Sequence, residues 1–345
     1  MTISKPYGDA AYATSMANVH EKLSDTPSTE GTDAAFKLTS GRFSIKNGNL
    51  SLLLPIDVEE SDRLNVQHLC YRQMLHGNFN APVDDDLEEG IKVLDVGCGT
   101  GAWALDMAAD YPNSEIHATN IVDGFPDTAL SNVHFQVADA LQGLPFSDNT
   151  FDFVFQRFMN TSFTPENWAK AVKEMIRVAK PGAYIELMEV DLMSKDRGPK
   201  YTIWNDAFTA VMQHRGIDIK SALKLSSYLE AAGAHKVETD RVSFPIGGWH
   251  DRRGELMKIN CEMQITGMKA VMTQILQCSD EEYERIAEAS SEEFTHYRTW
   301  GNSNNIREKQ TWLHARELFQ RFDGDEMMRA GGLRDQQYFV VGGGL

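Results

Sequence analysis

LDVGCGTGAWALD, from Leu94 to Asp106, begins as an apolar strand, passes through a glycine-rich turn and ends as the start of a helix. A strand that turns this sharply into a helix needs residues without Cβ, both for the backbone angles and so that amide N–H groups can approach a ligand. Working outward, Val93 to Val96 is the strand and Ala102 to Asp110 the helix. Upstream, EESDRLNVQHLCYRQML (Glu59 to Leu75) sets Leu64, Gln67, His68, Tyr71 and Leu75 on one helical face, and GNFNAPVDDDLEEG then breaks the helix. Downstream, strands are expected at Ile116 to Asn120, Val133 to Val137, Phe151 to Gln156 and Ala183 to Met188, with a helix at Trp168 to Ala179. Strands alternating with helices predict an α/β fold with a parallel, doubly wound, Rossmann-like sheet, whose ligands lie at the carboxyl ends of the strands.

Beyond Asp191 the alternation lapses. LSSYLEAAGAHKVETDRVSF reads as a helix, a break at Gly233 and a strand, and QQYFVVGGG as a last strand. The helical stretch between them, about residues 253–328, is expected to be an insertion that caps the ligand edge of the sheet. Residues 1–50, rich in Ser, Thr, Ala and Gly, are expected to form a flexible extension, leaving 51–345 as the folded domain.

The composition narrows the function. With 345 residues, 42% of them hydrophobic and 24% charged, the chain has the make-up of a globular protein with a sizeable core. No apolar run is long enough to span a membrane and the N-terminus lacks the apolar core of a secretory signal, so a cytoplasmic address is expected. Cys70, Cys98, Cys261 and Cys278 have no C-x-x-C spacing, and no metal site is expected. Fifty acidic against 33 basic residues give a formal charge of -17, which repels phosphate backbones and makes nucleic acid a poor partner. The same charge suits a cationic cofactor, a basic peptide or simple solubility.

The glycine turn fits two nucleotide templates. Gly97, Gly99 and Ala102 satisfy the dinucleotide pattern G-x-G-x-x-G/A, while Asp95, Gly97, Gly99 and Gly101 satisfy the D-x-G-x-G-x-G turn of enzymes that use S-adenosylmethionine (SAM). Both expect Asp or Glu at the end of the second strand for the ribose hydroxyls, yet HATN delivers Asn120, whose amide oxygen accepts fewer bonds and without charge assistance. The third strand discriminates. VHFQVADALQGLPF ends on Asp139 and Ala140, an acid to accept from the adenine amino group of SAM and a backbone N–H to meet the ring, neither of which a dinucleotide requires. A nicotinamide-side catalytic pair is also missing, so SAM is the expected cofactor.

The order VLDVGCGTGAWALD, HATN, FQVADA, FDFVFQRF, ENW and KPGAYIELMEVD resembles the class I SAM-dependent methyltransferases, in their fungal LaeA-like branch, over about Glu60 to Asp191. Trp103, Arg157, Trp168 and the helix DRLNVQH carry the likeness to that branch. The resemblance implies a mostly parallel Rossmann-like sheet with an antiparallel last strand, plus a helical cap. It implies that Asp95, Gly97, Gly99 and Gly101 surround the methionine half, Asn120 with Ile121 the ribose, and Asp139 with Ala140 the adenine. Gln156 and Tyr71 join the cofactor residues, the latter because the helix carrying it and His68 folds over the cofactor in similar enzymes; His68 reads equally as a satisfied, partly buried histidine. Asn120 is the departure from the family pattern.

Methyl transfer is an in-line displacement at a sulfonium carbon, so alignment and exclusion of water matter more than a dedicated base. Acceptor-side candidates at the ends of strands four and five are Arg157, Asn160, Glu189 and Asp191. Arg157 reads equally as an ion pair that fixes the loop; Glu189 reads as a group binding an ammonium or a proton, or as a solvated strand end. YTIWNDAFTAVMQH spaces Tyr201, Trp204, Phe208, Met212 and His214 for one helical face, a core stripe or a wall of the acceptor pocket. Arg157, Glu189 and His214 stand as the catalytic candidates. The expected activity is methyl transfer from SAM to O or N of a small-molecule acceptor, in secondary metabolism by the resemblance. A protein-directed methyltransferase or regulator and a non-catalytic SAM-binding module are the alternatives.

Overall fold

A computed structural model describes residues 36–39, 42–47, 50–51 and 57–309, apart from 127, 129 and 235. Strands β1 (Phe36–Thr39), β2 (Arg42–Asn47) and β3 (Leu50–Ser51) pair antiparallel in that order, so part of the expected flexible extension is a small sheet. Helix α1 (Val58–Leu75) starts where the Asp57 side chain accepts from Glu60 N at 2.9 Å, a cap that satisfies one of the unpaired amides of a first turn. Helix α2 (Asp84–Glu89) leads into β4 (Lys92–Val96), and the quoted turn follows.

From there the chain alternates as expected: α3 (Ala102–Asp110), β5 (Glu115–Asn120), β6 (Val133–Val137), β7 (Phe151–Arg157), α4 (Pro165–Val178) and β8 (Ala179–Val190). Beyond it lie α5 (Pro199–His214), α6 (Leu225–Ala231), β9 (Val237–Pro245), α7 (Arg252–Gly267), α8 (Lys269–Leu276), α9 (Asp280–His296) and β10 (Trp300–Lys309). Seven strands form one sheet in the order β6-β5-β4-β7-β8-β10-β9, parallel from β6 to β8, with β10 antiparallel to both of its neighbours.

The antiparallel strand is not where the sequence put it. It lies at 300–309, inside the bounds expected for the cap, so the helical stretch ends at His296; QQYFVVGGG falls outside the described residues. The physical reason is composition. Asn302, Ser303, Asn304 and Asn305 are buried in this strand, with side chains bonded to Ser243, the Glu189 carbonyl, Asp191 and Glu186. A buried strand satisfied by hydrogen bonds carries no apolar signature.

Alternate residues of β4 feed opposite layers. Val93 joins Trp103, Met107, Phe153 and Phe155 on the α3 side, where Trp103 stacks on Phe155 at 4.2 Å between centroids. Leu94 and Val96 join Trp168, Val172 and Met175 on the α4 side. Burial on both faces is what a near-continuous apolar strand such as KVLDV provides. A third cluster gathers α5, α7, α8 and α9 with Tyr71 of α1. No described helix is long and apolar enough to cross a membrane.

Candidate active site

At the end of β4 the amides of Gly97 and Cys98 both donate to the carbonyl of Thr119, at 2.8 and 2.9 Å, which ties the turn to the end of β5. Gly97, Gly99 and Gly101 take φ of 77°, 56° and 78°, a region that L side chains resist. Their surroundings differ. A Cβ at Gly101 would lie 2.6 Å from the Phe135 ring, whereas at Gly99 its nearest neighbour would be Leu64 Cδ1 at 3.7 Å. Gly101 therefore serves packing as well as backbone angle, and Gly99 keeps one face of the turn open. Helix α3 then begins without a side-chain cap, leaving the positive end of its dipole for a ligand.

That open face borders a cavity of about 520 Å³. Its walls are the glycine turn, the segments after β5 (Asn120 to Gly124) and β6 (Ala138 to Leu141), the segment after β7, and α1 through Leu64, Gln67 and His68. Asn120 and Ile121 both line it, as do Gly97, Gly99, Asp139 and Ala140. The Asn120 carboxamide has its N–H side committed, Nδ2 donating to Val122 O at 3.2 Å, so Oδ1 is the atom left to accept. Asp139 accepts from Leu141 N at 2.9 Å through Oδ1 only. Thr100 Oγ1 donates to Asn65 Oδ1 at 2.9 Å, which pins α1 to the turn.

Asp95 and Gln156 stand behind the lining rather than in it. Asp95 is 3% exposed, and its Oδ2 has no hydrogen-bond partner among the described residues. Burial pushes its carboxyl up to about 7, against the pull of the Arg157 guanidinium. Arg157 does line the cavity; burial lowers it to about 10 while Asp95 and then Asp106 oppose the shift. The two side chains are close enough that each moves the other's ionisation. Arg157 Nη2 lies 2.7 Å from His68 Nδ1, and His68 Nε2 lies 2.8 Å from Asp106 Oδ2. An arginine only donates, so Nδ1 must accept and the imidazole proton sits on Nε2, donated to Asp106. Burial lowers the His68 pKa, in keeping with a neutral ring.

A second cavity of about 140 Å³ adjoins the first, and Leu64, Gln67, Phe158 and Thr161 belong to both. Tyr71 opens onto this one and not the first. Its other walls include Tyr201, Trp204 and Phe208 of the expected aromatic stripe, where Trp204 stacks on Phe208 at 5.3 Å, together with Phe244 and Cys261. Burial pushes the Tyr71 and Tyr201 phenols up, and the Cys261 thiol up to about 12. Asp191, the carboxylate of this wall, is paired with Arg241 at 2.7 Å and Asn304 at 2.9 Å.

Two catalytic candidates lie elsewhere. Glu189 is fully buried and borders neither cavity; it accepts from Gln156 Nε2 at 2.8 Å, Met159 N at 2.6 Å and Asn160 N at 3.0 Å, and burial raises its carboxyl to about 7. It holds the loop after β7 and is no solvated strand end. His214 is exposed in the last turn of α5, outside both cavities, because the stripe buries through Met212 and the helix then runs out into solvent. Two other parts of the site escaped the sequence. Met159, Thr161, Ser162 and Phe163 of the β7 loop, beside the expected Asn160, were detectable from the rule that ligands gather at strand ends. The buried Glu60–Arg63 pair, bonded on to Asn260 Oδ1 at 2.9 Å, unites α1 with α7 across the two cavities and gives no local signal. Among the described residues no cluster of metal-ligating side chains occurs.

Residues 93–182 match a family described as a methyltransferase domain. The chain is 28% identical over 284 residues to the methyltransferase pytC of Aspergillus terreus, covering 75% of this chain and 85% of that protein. It is 27% identical over 208 residues to the secondary metabolism regulator LAE1 of Cochliobolus heterostrophus, covering 57% and 66%. To the N-methyltransferase sirN of Leptosphaeria maculans it is 28% identical over 200 residues, covering 56% and 70%.

Proposed function

The chain belongs to the class I SAM-dependent methyltransferases of the fungal LaeA-like group, and on that premise we propose that it methylates O or N of a small-molecule acceptor in secondary metabolism. The observation that carries the site assignment is the opposed pair Asp95 and Arg157 at the glycine turn, with Asp95 Oδ2 lacking a partner. The methionine half of SAM is a zwitterion, and a buried anion beside a buried cation is the arrangement that matches one. SAM supplies a methyl group already activated on a sulfonium.

The chain's own residues bind and orient. Asp95, from behind the glycine turn, would offer its charge to the ammonium, and Arg157, in the lining, would meet the carboxylate. Asn120 Oδ1 accepts from the ribose, and Asp139 with the Ala140 amide meets the adenine. Gln156, bonded to Glu189, steadies the floor behind them. The second cavity seats the acceptor. Its phenols and thiol are held protonated and its one carboxylate is paired, so it offers hydrogen-bond donors, aromatic faces and dryness rather than a base. Such a seat favours an acceptor whose lone pair needs no deprotonation, as in a neutral amine. Glu189 acts only in holding that floor and the β7 loop, and His214 has no part in this scheme.

Two measurements test it. SAM and S-adenosylhomocysteine (SAH) should raise Tm while NAD and NADP should not, since a ligand bound only by the folded chain stabilises it. Incubation of a fungal metabolite extract with methyl-labelled SAM should label a small molecule; stabilisation by NAD, or label confined to protein, would reject the reading.

A further inference from the structure

Arg157 is buried at the cavity wall, and a buried guanidinium points where its neighbours hold it. One of those neighbours is next to it in the chain and the other comes from α1. The Phe158 ring lies 5.3 Å from the Arg157 Cζ, and His68 of α1 accepts from Nη2. His68 is in turn held by Asp106 of α3, which also takes Arg72, while the other Arg72 nitrogen bonds Asp110 at 3.0 Å. The charged groups that face the imidazole are thus Arg157, Asp106 and Arg72. The row runs Asp106, His68, Arg157 and ends at the cavity. A neutral imidazole with its proton fixed toward Asp106 presents a lone pair to the guanidinium on the other side, and so restrains Nη2 without neutralising the arginine's charge.

We propose that His68, oriented by Asp106, is a positioning residue that aims the Arg157 guanidinium at the carboxylate of the cofactor's methionine half. The proposal rests on the reading that the cavity at the glycine turn takes SAM. It predicts a selective defect. SAH has the amino-acid half, whereas 5′-methylthioadenosine shares the nucleoside and sulfur but has no carboxylate. Loss of the restraint therefore weakens the first ligand and spares the second.

The test is calorimetric titration of the full chain and of His68→Ala, His68→Gln and Asp106→Ala with both ligands. The expected result is about tenfold weaker SAH binding in each variant, the scale of one hydrogen bond to a charged group, with 5′-methylthioadenosine unchanged within about twofold. Unchanged nucleoside binding also reports that the variants are folded. Equal loss for both ligands would make the row merely structural and overturn the proposal, as would no loss for either. A wild-type chain that binds neither ligand would overturn the SAM reading and this proposal with it.

Discussion

Asn120 is the residue at which the family pattern and the structure pull apart, and its hydrogen bond explains how the chain tolerates the change. With Nδ2 holding Val122 O, the side chain fixes the segment that walls the cavity there and leaves Oδ1 to accept from the ribose in the proposed binding mode. Asn120→Asp would add a charged acceptor but turn one carboxylate oxygen toward that carbonyl. The gain and the loss are each about 0.5–1.5 kcal/mol, so SAM affinity should stay within about threefold. A rise beyond about tenfold by titration would show that the Val122 bond is dispensable. Asp95 gives the clearer signal. Its carboxyl is raised from an ordinary 3.8 to about 7 by burial, so the folded chain binds more protons than the unfolded one between those values. Its contribution to stability is present at low pH and lost as pH rises through about 7. A cationic ammonium favours the ionised form, so binding SAH at pH 7 should release protons, read as a dependence of the calorimetric enthalpy on buffer. Asp95→Asn should abolish that dependence and cost about 1–3 kcal/mol of affinity; a release that survives the substitution would place the titrating group elsewhere.

The elements of the nucleotide half were legible because their causes are local. KVLDV is buried on both faces, α3 buries Trp103, Ala104, Met107 and Ala108 at helical spacing, and three glycines mark a turn whose backbone angles L side chains resist. What escaped depends on distant partners. β10 is buried through asparagines whose mates lie on β8, just past its end and on β9. Arg157 and Glu189 were picked out as polar residues at strand ends, but only the fold shows one facing the cavity and the other closed off behind it. The glycine turn yields a test at this scale. Gly101→Ala combines an unfavourable φ with a 2.6 Å approach to Phe135, and should cost about 2–4 kcal/mol of stability. Gly99→Ala has the φ alone and open space beyond, and should cost about 1–2 kcal/mol yet weaken SAH disproportionately by standing in the cavity. Urea denaturation of both variants, with and without SAH, checks the ordering; equal stability losses would mean Phe135 moves aside.

In the whole molecule the second cavity is walled by segments far apart in sequence: α1, which also borders the first, precedes the sheet, α7 comes from the insertion, and the Glu60–Arg63–Asn260 bonds bring them together. Breaking such a buried pair strands a charge, so the closure of the site and the stability of the fold are linked. The place of β10 has a consequence for how the chain is made. β8 and β9 run in the same direction, and the strand that must lie between them is the last of the three to leave the ribosome. Ser303 Oγ reaches back 114 residues to the Glu189 carbonyl. During synthesis β8 therefore waits with an open edge, and closing so long a loop is slow. An exposed edge is a template for pairing with other chains. A chain cut ahead of Trp300 should accordingly aggregate during expression, and a peptide spanning 300–309, added during its refolding, should reduce that aggregation. Soluble, SAH-binding protein from the truncation would mean that the nascent sheet guards its edge by other means, and that β10 arrives as a late clasp instead of a missing centre.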